Sequence, residues 1–330
     1  MITKPPGIED IFPDRIDRWN HVIDTAVDIF TRYNFREIRV PVMEFTEVFS
    51  RGIGTDTDIV SKEMFTFEDR GGRSLTLRPE GTAGVVRAYV ENGEYNRLSL
   101  CKFFYYGPMF RAEKPQKGRL RQFHQFGAEI FGSSDPYYDY EVISLVNRFS
   151  IEAGVGPFRI LLNSIGCREC RPAYMVKLKD YYRENMEKLC NDCRRRYETN
   201  PLRLLDCKNS SCIELKAGAP AIGNYLCGEC QEHFNSVRSY MKQAGIEYTE
   251  DPFMVRGLDY YTRTTFEFVS DKLGSQSAFA GGGRYDYLVE QFEGKPTPGV
   301  GFAAGIERIN LMLQDAEHPV KGPECFTILS

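Results

Sequence analysis

Apolar residues recur at helical spacing through Ile16, Trp19, Ile23, Ala26, Val27 and Phe30, which predicts an amphipathic helix over residues 14–33. The period then changes. "REIRVPVM" (36–43) reads as a strand whose Pro41 suits an edge, and the polar, glycine-rich "SRGIGTDTDIVSKE" that follows reads as a mobile loop. "MFTFEDRGGRSLTL" alternates as a hairpin with its turn at Asp69 to Gly72, and a helix is expected from Thr82. Strands at 101–111, 119–131 and 158–163 and a helix at 137–153 complete a first block.

The texture shifts between residues 166 and 251, which are helical in pattern, charged and rich in cysteine. Strand-like sequence resumes at 254–269 and 275–282, so the intervening stretch reads as an insertion. "PGVGFAAGIERINLMLQ" is a strand turning into a helix, and the terminal "CFTILS" reads as the opening strand of a further domain. The expected organisation is a core at 1–165 and 252–318, a cysteine-rich insertion at 166–251 and a linker at 319–330. Hairpins with helices packed on them point to an α+β fold, an antiparallel sheet flanked by helices.

Composition narrows the class. The 330 residues are 42% hydrophobic and 27% charged, as in a globular protein with a sizeable core. No apolar run approaches membrane-span length, and the N-terminus lacks the apolar region of a signal peptide, so a cytoplasmic protein with no membrane partner is expected. The net charge of −4 gives no global attraction to nucleic acid. A local one is possible: Arg111, Lys114, Lys117, Arg119 and Arg121 face only Glu113 across one turn.

That turn lies inside "GPMFRAEKPQKGRLRQFHQFGAEIFG" (107–132). In a strand alternate side chains share a face, so Arg121, Phe123, Gln125, Gly127 and Glu129 point one way, with Arg111 and Glu113 paired on the other arm. A surface hairpin with cross-strand ion pairs is one reading. An aromatic ring among arginines, beside a glycine that admits close approach, also suits a nucleotide and a small polar substrate. "MVRGLDYYTRTTFEF" (254–268) adds Arg256, Tyr260 and Tyr261 at the head of a strand, either core tyrosines or a pocket for a small polar molecule. Other nucleotide signatures are weak. There is no G-x-x-x-x-G-K-[ST], and "GVGFAA" has too little chain after it for a dinucleotide-binding half. The helix near Gly305, with Arg308 in its first turn, is a further phosphate site.

"FRAEKPQKGRLRQFHQFGAE", "TLRPEGTAGVVRAY", "RGLDYYTRTTFEF", "AGGGRYDYL" and "GFAAGIERI" together resemble the histidyl-tRNA synthetases, class II enzymes, over the span from "PPGIEDIFP" to about residue 318. The resemblance implies that Glu80, Thr82, Gln125, Glu129, Tyr260 and Tyr261 hold L-histidine. It implies that Arg111, Glu113, Arg121, Phe123 and Arg308 bind ATP with Mg²⁺, Phe123 stacking on adenine. Arg256, with Arg111, would stabilise charge at the α-phosphate, and Gln116 and Lys117 would meet tRNA(His). A homodimer is expected with it. The family carries a C-terminal anticodon-binding domain for which this chain has no sequence, so a catalytic region is expected. A non-catalytic regulatory subunit of ATP phosphoribosyltransferase that binds histidine is the alternative; such relatives have degraded motifs, whereas Arg111, Arg256, Arg308 and Glu113 stand intact here.

Eight of the ten cysteines fall in four close pairs, Cys167/Cys170, Cys190/Cys193, Cys207/Cys212 and Cys227/Cys230. Paired turns of this kind suit tetrahedral Zn²⁺. A helix over 171–189 would separate Cys170 from Cys190 by about 30 Å, so the two should not share an ion. Cys190, Cys193, Cys207 and Cys212 are the favoured structural zinc site, with Cys167, Cys170, Cys227 and Cys230 as a second. Reduced, idle thiols and C-x-x-C redox chemistry remain open, as does a zinc-bearing nucleic-acid-binding role for the insertion.

Overall fold

The computed structural model describes residues 1–55, 57–274 and 277–313. The chain opens with α1 (Pro13–Arg32), started by a proline at its first turn, whose missing N–H costs nothing there. Its buried stripe is Trp19, Val22, Ala26, Ile29 and Phe30, while Ile16, Ile23 and Val27 lie half-buried at its margins.

Short β1 (Arg36–Glu37) and β2 (Met43–Phe45) follow, then α2 (Thr46–Ile53). The expected strand over 36–43 is thus split, since Pro41 between them has no N–H to give a ladder. The expected loop from Ser50 is largely helical too, with α2 reaching Ile53 and a π-helical turn at Ile59–Glu63. Val48, Phe49, Ile53 and Ile59 bury a small apolar cluster there, which holds the segment despite its glycines. The hairpin β3 (Phe65–Glu68) and β4 (Ser74–Leu77) joins β2 in a three-stranded sheet, and α3 (Thr82–Glu91) follows.

The main sheet is built from β5 (Cys101–Phe110) and β6 (Gln122–Phe131), then, past α4 (Pro136–Glu152), from β7 (Arg159–Ser164). A helical excursion comes next: α5 (Cys170–Arg183), α6 (Asn191–Thr199), α7 (Ser210–Lys216) and α8 (Gly228–Gln243). It returns through β8 (Thr249–Glu250), parallel to β7. β9 (Thr262–Val269), β10 (Ala278–Arg284), α9 (Leu288–Gln291), β11 (Gly299–Gly305) and α10 (Ile306–Met312) complete the described chain. Only Thr262 onward is strand; residues 254–261, expected to be extended with it, form a loop. The terminal "CFTILS" and the 319–330 segment lie outside the described residues.

The strand order β1-β5-β6-β11-β10-β9-β7-β8 is antiparallel through its centre and parallel only at the two edge pairs. One face is apolar. Phe126, Ala128 and Ile130 of β6, Phe302 of β11 and Phe266 and Phe268 of β9 pack against α1, α4 and α8 in one core. Burying Phe side chains of this kind is worth about 3–5 kcal/mol each against truncation to Ala. Beneath it, Arg284 and Asp139, both fully buried, form an ion pair that ties β10 to α4, and His233 Nε2 of α8 meets Asp139 at 3.0 Å. Among the described residues no helix is long and apolar enough to cross a membrane.

Candidate active site

The opposite sheet face carries the polar groups, and strand register decides what stands beside what. Tyr105, Gly127, Ala303, Gly281 and Glu267 form one cross-strand row; Glu129, Gly301, Gly283 and Thr265 form the next. Residues directly opposed share a face. The small side chains of β10 and β11 therefore leave a floor, bounded by Gln125 and Glu129 on β6 and Glu267 on β9.

The loop over 254–261 folds above that floor. Arg256 reaches back to donate from Nη1 to Glu267 at 2.6 Å, across Gly281, where a methyl group would collide with the guanidinium. Burial alone would lower the pKa of Arg256, but Glu267 beside it holds the cation firmly protonated. Its Nε is buried with no hydrogen-bond partner among the described residues, and so is Oε1 of Gln125. A buried orphan of this kind costs about 1–3 kcal/mol until something pairs with it.

Both atoms belong to residues lining a cavity of about 810 Å³. Arg111, Glu113, Phe123 and Arg308 line it as well, as does Arg119, whose Nη1 donates to Glu113 at 2.9 Å. Arg111 donates to the carbonyl of Pro79 at 3.0 Å and lies 5.2 Å over the Phe123 ring. Burial lowers the pKa of Arg111; burial, then Arg119 and Arg111, push Arg308 down to about 10. Cations that depress one another in a polar cleft favour an anion among them. Arg308 sits in the first turn of α10 and donates to the carbonyls of Gly118 and Ala278. With seven residues, α10 offers mainly this arginine rather than a strong dipole.

The expected histidine-binding groups divide. Gln125 lines the cavity, whereas Glu80, Thr82, Glu129, Tyr260 and Tyr261 are packed behind it. Glu80 accepts from the N–H groups of Thr82 and Ala83 at 2.7 and 2.8 Å, supplying the orphan donors of α3, and burial raises its pKa. Glu129 is fully buried and accepts from Thr82 Oγ1 at 2.7 Å, from Tyr105 at 3.3 Å and from Tyr285. Burial pushes its pKa up to about 8, so at neutral pH it is largely protonated.

Gly127 is not an opening for ligand, as its place in the sequence suggests. The Tyr105 hydroxyl already lies 2.5 Å from where a β-carbon would stand there. Arg121 does not itself line the cavity; its Nε donates at 3.3 Å to the carbonyl of Glu113, which does. Gln116 and Lys117 are exposed at the hairpin turn and border a separate cavity of about 690 Å³. Sequence reasoning missed Tyr105, Arg119, Glu267 and Tyr285. Arg119 was visible in the basic run, but Tyr105 and Tyr285 meet Glu129 only through the tertiary fold, and Glu267 meets Arg256 only once the 254–261 loop folds back over the sheet.

The favoured cysteine grouping assembles. The sulfurs of Cys190, Cys193, Cys207 and Cys212 all lie within 4.8 Å of one another, and so do those of Cys167, Cys170, Cys227 and Cys230.

The sequence profile of the histidyl-tRNA synthetases matches residues 7–170 and 178–309. The histidine–tRNA ligase of Geobacter sulfurreducens is 51% identical over 326 residues, covering 99% of this chain and 79% of the relative. That of Trichlorobacter lovleyi is 53% identical over 325 residues, 98% of this chain and 77% of the relative. Apo histidyl-tRNA synthetase from S. aureus superposes with a TM-score of 0.78 at 36% identity, over 97% of this chain and 76% of that one. An ATP phosphoribosyltransferase regulatory subunit/histidyl-tRNA synthetase from Bacillus halodurans shares the fold at 22% identity, with a TM-score of 0.72 over 96% and 84% of the two chains.

Proposed function

Since the chain belongs to the histidyl-tRNA synthetase family, class II aminoacyl-tRNA synthetases, we propose that it activates L-histidine with ATP and passes the histidyl group to the 3′ end of tRNA(His). The observation that carries this is the cavity itself: Arg111, Arg119, Arg256 and Arg308 converge on it, with the Arg256 Nε and Gln125 Oε1 still unpaired.

ATP enters as its Mg²⁺ complex. Arg111 and Arg308 grip its phosphates, Glu113 positions it, and the Phe123 ring, covered on one face by Arg111, takes adenine on the other. L-Histidine sits above the sheet floor against Gln125, with Glu129, Tyr260, Tyr261, Glu80 and Thr82 packed behind and shaping its pocket. A histidine carboxylate oxygen attacks the α-phosphorus, the bond to the bridging oxygen breaks, and pyrophosphate leaves with that electron pair. Arg256, locked on Glu267, meets the charge that builds on the α-phosphate oxygens. A terminal ribose hydroxyl of tRNA then attacks the carbonyl carbon and AMP departs; Gln116 and Lys117, exposed at the turn, meet the acceptor end. The chemistry is mostly positioning and electrostatics.

Residues 166–251 serve as an insertion domain on a core formed by 1–165 and 252–318, with Cys190, Cys193, Cys207 and Cys212 as a structural Zn²⁺ site. The enzyme works as a homodimer in the cytoplasm. Val42, Met43, Phe45, Phe67 and Tyr106, all exposed on and beside the small sheet, give an apolar face that a second copy would cover. Charging of tRNA(His) with labelled histidine tests the complete reading. Histidyl-tRNA formed at a rate that falls sharply in Lys117→Ala supports it. Binding of histidine with no charging favours the regulatory subunit.

A further inference from the structure

The two cysteine quartets stand on either side of the loop that carries Arg256, Tyr260 and Tyr261. Four sulfurs around one tetrahedral ion with bonds of about 2.3 Å lie about 3.8 Å apart. The separations here are 3.6 Å for Cys167–Cys170, 3.9 Å for Cys167–Cys227 and 3.8 Å for Cys190–Cys207. A disulfide needs about 2.05 Å, and a multi-iron cluster would hold thiolates on different irons farther apart than the 4.8 Å within which each quartet lies. Backbone N–H groups are aimed at the sulfurs as well: Glu169 at Cys167, Cys227 at Cys170, Cys190 at Cys212 and Asn209 at Cys207, at 3.1–3.4 Å. Donors at that range stabilise thiolates rather than thiols.

Each quartet is one step from the loop. The stretch between Cys193 and Cys207 carries Asn200, whose Nδ2 donates to Asp259 at 2.8 Å, and Arg203, whose Nη1 donates to the Arg256 carbonyl at 3.2 Å. Cys170 opens α5, and the next residue, Arg171, donates to the carbonyls of Ile165 and Tyr261. Arg203 and Arg171 therefore hold the loop backbone at Arg256 and Tyr261, and Asn200 holds the Asp259 carboxylate; Asn200 and Arg203 stand between Cys193 and Cys207, and Arg171 follows Cys170.

We propose that both quartets hold Zn²⁺ and that the pair of ions braces the Arg256–Tyr261 loop, making them positioning elements for the histidine pocket. At each site Zn²⁺ displaces four thiol protons, giving a tetrathiolate of net charge −2 and four released H⁺. Arg171 lies close to Cys167 and Cys170, and Arg196 close to Cys193, where each offsets part of that charge. The positioning role rests on the histidine-binding reading above; the metal content does not.

The test is elemental analysis of the full chain purified without chelator, followed by calorimetry with histidine. Two zinc ions per chain are expected. Cys207→Ser and Cys167→Ser should each retain one zinc and lose roughly 10-fold in histidine affinity, the scale of one or two hydrogen bonds from a displaced loop. Where a variant does not fold, the wild-type ions are released with an organomercurial, counted with a zinc-sensitive dye, and histidine affinity is read on the same sample. Fewer than two zinc ions, or iron in their place, overturns the metal assignment. Two ions whose loss leaves histidine affinity unchanged overturns the bracing role. A wild-type chain with two zinc ions and no histidine binding would sink the functional reading instead, so the two failures are separable.

Discussion

Glu129 carries two loads, holding Thr82, Tyr105 and Tyr285 together and facing the substrate side of the sheet. Its folded pKa stands near 8 against an ordinary 4.5. The folded state thus binds the extra proton, and the stability it contributes falls as pH rises from about 4.5 toward about 8. The difference in unfolding free energy between wild type and Glu129→Gln should shrink over that window, read by denaturant titration at several pH values; a constant difference would contradict the buried, protonated carboxyl. In the proposed mechanism, Arg256→Ala removes the charge that meets the α-phosphate at the transition state. Pyrophosphate exchange should drop by about 10²–10³-fold with the circular dichroism spectrum unchanged. Near-normal exchange would take Arg256 out of the mechanism. These residues were largely legible in sequence, because strand parity puts Phe123, Gln125 and Glu129 on one face. Their partners were not: Glu267 lies 11 residues beyond Arg256 and meets it only once the 254–261 loop folds back over the sheet.

The elements meet at a buried charge knot. Arg284 on β10 bonds Asp139 on α4, accepts no solvent contact, and is further held by Asp286 and the carbonyl of Ser133. Burial alone would raise the pKa of Asp139, but Arg284 and His233 hold it far below the ordinary 3.8. Its stabilising contribution is complete above about pH 4 and is lost as pH falls below that value. Asp139→Asn should cost about 3 kcal/mol, the low end for breaking a buried pair, because Asp286 stays on Arg284 while the Asp139 charge is lost. Equal stability of variant and wild type at pH 7 would mean the pair is replaceable. Long, periodic elements such as α1, β5, β6 and α4 were readable from spacing alone. The extended reading of 254–261 failed because the segment takes tertiary partners: Arg203 and Arg171 hold its backbone and Asn200 the Asp259 carboxylate, where a ladder would have. The loop reading of 50–63 failed for a similar reason, since burial of Phe49, Ile53 and Ile59 outweighs the low helix propensity of its glycines.

At the scale of the whole molecule, the sheet separates two cores, one under α1, α4 and α8 and one on the cavity side that runs from Tyr105 and Tyr261 into the helical excursion at Tyr174, Leu178 and Leu205. The helical excursion between β7 and β8 closes over the cavity side, and α8 continues past it into the main core through Phe234, Val237 and Met241. Its helical character was legible, since Tyr174, Leu178 and Tyr182 of α5 and Phe234, Val237 and Met241 of α8 recur at helical spacing, and cysteine spacing gave the pairing of its turns. The exposed apolar face around Phe45 and Phe67 predicts a dimer by light scattering, and Phe45→Asp should shift it toward monomer. In the proposed function this cleft joins histidine to ATP. ATP–pyrophosphate exchange driven by each of the twenty amino acids reads that step without tRNA. Exchange with L-histidine alone, lost in Arg256→Ala, is the result the cleft predicts; no exchange from a folded, histidine-binding chain would contradict it.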